Sequence, residues 1–90
     1  MTAKITVELL SATEFRVTVA EGPSRTTHTV SVSPAELKKY GAGATAERLL
    51  TASFEFLLDR ERKESILARF ALSDIEGYFP EYPRRIHDLL

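Results

Sequence analysis

The hydrophobic pattern of this 90-residue chain changes period once, at Ser33, and that single change restricts it to a small set of folds. Before Ser33, apolar side chains recur at every second position. Ile5, Val7 and Leu9 form one run, Phe15, Val17 and Val19 a second, and His28, Val30 and Val32 a third. Polar residues fill the alternate places, and many of them are Thr, whose β-branched carbon suits a pleated strand. Period two puts one face of each strand in a core and the other in water. Ser11-Ala12-Thr13 joins the first two runs, and Glu21-Gly22-Pro23-Ser24 joins the next two as a strong turn signal. The spacing predicts a three-stranded antiparallel β-meander over residues 1–33.

Residues 34–90 then read as a helical part of the same single domain. Ser33-Pro34-Ala35-Glu36 combines a capping box with Pro at the first helical position, so a short helix to about Tyr40 is predicted. Gly41-Ala42-Gly43 ends it through a left-handed cap or an open loop. Thr45 caps the longest helix, from Ala46 to about Arg60. Its apolar arc of Leu49, Leu50, Ser53, Phe54, Phe56, Leu57 and Leu58 is wider than the ~100° stripe of a surface helix. One side of that arc is expected on the sheet. The other is expected under the C-terminal segment or a second copy of the chain. The run Asp59–Glu64 alternates in charge and reads as a solvated connector. Ile66, Leu67 and Phe70 fit a further helical turn, Ser73-Asp74-Ile75-Glu76 a second capping box, and Glu81-Tyr82-Pro83 leads into a last short helix with Ile86, Leu89 and Leu90. The fold class expected is therefore α+β: the meander, one long helix, then two or three short ones.

Leu, Ile, Val and Phe number 25 of the 90 residues, above the ~20% below which chains fail to build a core. There are 12 basic and 13 acidic residues and no Cys, which removes disulfide frameworks, thiolate metal sites and Cys nucleophiles. No apolar run approaches the ~20 residues of a membrane span, and the first ten residues lack the continuous apolar stretch of a secretory signal. A cytoplasmic setting is expected.

Two resemblances bear on function. The stretch Ala52–Glu61, continuing through Lys63–Leu67 and on to Tyr78-Phe79-Pro80-Glu81-Tyr82, resembles a segment of small uncharacterised bacterial proteins and implies a bacterial or related source. It carries no activity and so no catalytic residue. Thr29-Val30-Ser31-Val32-Ser33-Pro34-Ala35-Glu36-Leu37 resembles the strand and capped first helix of ribbon-helix-helix DNA-binding proteins. That resemblance implies a dimer whose strands pair, with Thr27, Thr29 and Ser31 entering the major groove. The chain departs from the pattern where Gly41 and Gly43 cut the first helix short, and where two earlier strands stand ready to pair with the third.

Charge argues against nucleic acid as the partner. Residues 1–33 hold three basic and three acidic groups, residues 34–64 six and six, and residues 65–90 three and four, so no third carries the basic surplus that displaces phosphate counterions. His28 and His87 are far apart and lack ligand-spaced companions, so no metal is expected. His28 reads as a structural histidine at the start of the third strand. There is no G-x-S-x-G and no phosphate-cradling loop, and Ser53 sits amid Leu and Phe on the helix arc. Neither catalysis, a cofactor nor a small-molecule substrate is indicated. The remaining feature is the corner formed by Tyr78, Tyr82, Arg84 and Arg85, stiffened by Pro80 and Pro83. Tyr and Arg are enriched where proteins meet. These four residues are the expected contacts of a small non-catalytic interaction or regulatory module, acting on a protein partner or on a second copy. The alternative is a ribbon-helix-helix-like DNA-binding regulator or antitoxin.

Overall fold

The three alternating runs pair as their pattern requires. In the computed structural model of the chain, which describes residues 3–90, β1 (Lys4–Leu9), β2 (Glu14–Glu21) and β3 (Ser24–Ser31) form an antiparallel meander. Pairing is one-to-one, with Thr6 opposite Thr18 and Thr18 opposite Thr27. Gly22 supplies the positive φ of 58° that the β2–β3 turn needs. Phe15, Val17, Val19, His28, Val30 and Val32 are buried, whereas Ile5 and Val7 are half-buried because β1 is an edge strand.

The sheet has a fourth strand. Arg69–Ala71 is β4 and lies parallel to β3, with Val30 opposite Phe70, so the sheet is mixed, in the order β1-β2-β3-β4. The sequence reading of Ile66, Leu67 and Phe70 as a helical turn is corrected here, and with it the purely helical 34–90 part. Three residues are too few to display a period. Pairing, not pattern, makes them a strand: Thr29 N–H donates to Ala68 O at 2.8 Å, and Leu72 N–H to Ser31 O at 2.9 Å.

Between β3 and β4 run α1 (Pro34–Gly41) and α2 (Ala46–Leu58), a crossover long enough to bring two neighbouring strands into parallel register. The Ser33 capping box forms in full, with Ser33 Oγ accepting from Glu36 N–H and Glu36 Oε1 accepting from Ser33 N–H. Ala42, not a glycine, takes the left-handed cap at φ 49°, and Gly43 follows at φ 90°. Thr45 Oγ1 accepts from Arg48 N–H and opens α2. A single 3-10 turn at Lys63–Ser65, α3 (Asp74–Tyr78) and α4 (Tyr82–Leu89) complete the chain.

The broad apolar arc of α2 is covered from within the chain. One side faces the sheet, where Phe54 meets His28 and Phe70 at ring-centroid distances of 5.4 and 6.1 Å. The other meets α4, where Phe56 packs edge-on to Tyr82 at 5.3 Å. The C-terminal segment thus fills the role left open between it and a second copy. The opposite face of the sheet is polar and open, carrying Lys4, Thr6, Glu8, Arg16, Thr18, Thr27 and Arg69. No helix among the described residues is long and apolar enough to cross a membrane.

Candidate functional site

A concavity with a largely apolar lining lies where the C-terminal end of α2, the 3-10 turn, β4 and α3 converge. Leu57, Ile66, Phe70 and Ile75 are buried and form its floor. Leu67, 47% exposed, and Tyr78, 68% exposed, stand beside it, and Glu61 and Asp74 lie at its rim. The hollow measures about 130 Å³. An apolar cavity of roughly 150 Å³ holds a benzene ring, so this one suits a single large apolar side chain.

Each wall is fixed by a polar contact made elsewhere. Glu36 carries α3 as well as α1: its Oε2 accepts from Ser73 N–H at 2.8 Å while Oε1 completes the α1 box. Burial pushes the Glu36 carboxyl up, but the Ser33 and Ser73 amides outweigh it and hold the group below 4.5. Tyr40, buried, donates its hydroxyl to Glu76 Oε1 at 2.6 Å, and Lys39 Nζ reaches the same oxygen at 3.2 Å. The Tyr40 hydroxyl, followed by Lys39, keeps Glu76 below the ordinary carboxylate value. Burial and then Glu76 push Tyr40 upward. Glu76 is thereby taken from Ser73, whose side chain makes no cap bond, so the second predicted capping box does not form. Asp74 Oδ2 instead accepts from Ala71 N–H and ties α3 to β4.

The charged connector is not simply solvated. Lys63 is only 4% exposed, and its Nζ reaches Glu64 Oε2 at 2.7 Å and Glu21 Oε1 at 3.1 Å. The Glu64 hydrogen bond raises Lys63 above 10.5 against the opposing pull of desolvation. The pair with Glu21 fastens the turn to the end of β2 and so sets where Ile66 and Leu67 lie. Arg60 stacks 3.6 Å from the Phe56 ring centroid and donates to Glu81 Oε2 at 3.1 Å, holding the start of α4 to α2. His28 does the same for β4. Its Nδ1 lies 2.8 Å from Leu67 O, and a carbonyl only accepts, so Nδ1 carries the proton. Nε2 then accepts from Thr26 Oγ1 at 2.8 Å.

The four residues expected at one partner-binding corner are separated by the fold. Tyr78 is exposed and lies beside the hollow. Tyr82 is completely buried, its ring 5.0 Å from that of Tyr40 and its hydroxyl 2.7 Å from Ser53 Oγ, so it is corrected to a core residue. Arg84 and Arg85 are exposed on α4, and Arg85 borders a separate polar concavity with Glu55, Asp59 and Asp88. Thr27, Thr29 and Ser31 lie on the open face of β3, opposite His28 and Val30. At Thr29–Ser31 both sides of β3 are occupied, by β2 and by β4, so an inter-chain ribbon through this strand would require β4 to leave. Leu67, Glu61 and Asp74 were missed as site residues. The one signal available was the apolar Leu67 directly after a charged run. Among the described residues, no group of three or more His, Cys, Asp or Glu is arranged to hold a metal ion.

No protein-family model matches the chain, no curated protein matches it in sequence, and no solved structure matches its fold.

Proposed function

We propose that this chain is a non-catalytic protein-interaction module of the cytoplasm that takes one large apolar side chain of a partner into the hollow beside Tyr78. The observation that carries the reading is the exposure of Tyr78 and Leu67 beside an apolar floor. Aromatic side chains bury large apolar area, and aromatic anchors in small pockets dominate interface energies. The rim is acidic at Glu61 and Asp74, which favours a basic residue next to the inserted side chain. Lys63, Glu36, Tyr40 and His28 hold the walls in place, so little ordering is left to oppose binding.

Selection of displayed random peptides on the immobilised protein tests this. Peptides with Leu or Phe beside Arg or Lys are expected. Their capture should fall about tenfold or more on Tyr78→Ala, which removes the anchor contact from an exposed position where the fold is not at stake. Binders indifferent to Tyr78→Ala, or none at all, would sink the reading.

A further inference from the structure

We infer that the chain forms a homodimer through antiparallel pairing of β1 with β1 of a second copy, centred on Thr6. Backbone bonding in β2 alternates between its two neighbours. Leu10 N–H donates to Glu14 O, which sets the even-numbered residues of β1 as the ones bonded to even-numbered residues of β2. Val32 N–H donates to Thr13 O, so the odd-numbered residues of β2 bond to β3, in agreement. The N–H and C=O groups of Ile5, Val7 and Leu9 therefore point away from the sheet. Among the described residues, no backbone hydrogen bond from outside the sheet reaches them.

Sheet edges are usually protected by shortness, proline, a bulge, an inward-pointing charge or charged side chains that repel a second edge of like charge. The β4 edge is protected by its length of three residues. β1 has six residues, an unbroken register and no proline, and its charged residues Lys4 and Glu8 lie on the open face. The same two charges choose the partner, with Glu8 lying between Arg16 of its own chain, whose Nη1 it binds at 3.2 Å, and the second copy. Outward-pointing residues must meet outward-pointing residues, which allows only registers that pair odd with odd. Centring on Thr6 sets Ile5 opposite the partner's Val7 on the core side. On the open face it sets Lys4 opposite the partner's Glu8 and Glu8 opposite the partner's Lys4. Both directly opposed pairs are then attractive, and both repeat by symmetry. Shifting the centre to Ile5 or to Val7 loses this match. The pairing supplies about four inter-chain backbone bonds within β1, and about four more where Leu9 meets the partner's Ala3, by the antiparallel rule. It also covers Leu9, 65% exposed, against the partner's Ala3. The hollow beside Tyr78 is built on β4, the far edge, so this dimer does not rest on the function proposed above and leaves both hollows open.

Charge reversal tests it. Sedimentation equilibrium of the wild-type chain should show a dimer at micromolar to submillimolar concentration. Lys4→Glu opposes two carboxylates at each symmetric pair, and Glu8→Lys two ammonium groups, so each variant alone should dissociate about tenfold or more readily. Mixed in equal amounts, the two variants restore opposite charges at every pair and should form a heterodimer. A purely structural role for either residue would not produce that rescue. Amide exchange provides a second readout on the wild-type chain, independent of whether the variants fold: the Ile5 and Val7 amides should become more protected as concentration rises. A wild-type monomer throughout that range, single variants as dimeric as wild type, a mixture that stays monomeric, or amides indifferent to concentration would each overturn the inference.

Discussion

Several side chains here act through what they keep others from losing. Ser53 is buried on α2 and donates to Leu49 O at 2.6 Å, which leaves its lone pairs to receive the hydroxyl of Tyr82. Ser53→Ala removes a weak packing group, but it strands a buried phenol whose desolvation is then uncompensated. A cost of about 1–3 kcal/mol is expected in chemical denaturation. Adding Tyr82→Phe removes the stranded group, so the double variant should be at least as stable as Ser53→Ala alone. A double variant destabilised by the full sum of the single changes would show that the two hydroxyls do not depend on each other. The fold also separates Tyr82 from Tyr78. Tyr78 and Tyr82 are four residues apart, a spacing that shares one face of a continuous helix. Pro80 ends that continuity, because the residue before a proline leaves helical backbone. Phe79 accordingly sits at φ −131° and ψ 88° between α3 and α4, and the two rings part, one outward and one into the core.

At the scale of elements, the sequence revealed those long enough to show a period or a cap. β1 and β2 alternate along six and eight residues, β3 alternates from His28 onward, and α1 and α2 begin at side chains that do cap them. β4 escaped because its three residues owe their conformation to β3 and to a histidine thirty-nine positions from the carbonyl it binds. The candidate hollow escaped for the same reason: its walls come from four elements brought together by β4 pairing and by contacts between residues distant in sequence, such as Lys63–Glu21 and Tyr40–Glu76. His28 is therefore the residue through which β4 is best examined. In His28→Leu the ring's apolar contact with Phe54 is largely kept, but the bond to Leu67 O is lost. Amide exchange should then quicken by about tenfold or more at Thr29 and Leu72, whose N–H groups join β3 and β4. The β1–β2 ladder should be unaffected. Uniform acceleration across the sheet would mean that His28 supports the whole core and not this strand.

On the scale of the whole molecule, an apolar layer on one face of a four-stranded sheet is locked by a few carboxylates at helix starts and turns, and this sets how the fold responds to acid. Glu36, Glu64, Glu76 and Glu81 are all held below the ordinary value of 4.5. Each binds its proton less readily folded than unfolded, so its contribution is complete above the unfolded value and is lost as pH falls through the folded one. Stability should therefore be level near neutrality and decline from about pH 5 downward. Among the four, Glu36 bonds the backbone amides at two helix starts, with one carboxylate oxygen on the Ser33 amide and the other on the Ser73 amide. Glu36→Gln keeps the shape but turns one acceptor into an NH₂ that faces a backbone N–H. At pH 7 it should cost about 1–2 kcal/mol, the scale of a lost cap and a charged hydrogen bond. Because the amide does not titrate, the variant should also lose less stability than wild type between about pH 5 and about pH 3, so the two denaturation curves converge as the pH is lowered. Curves that stay parallel through that range would mean that Glu36 stabilises by packing alone and that acid acts on the other three carboxylates.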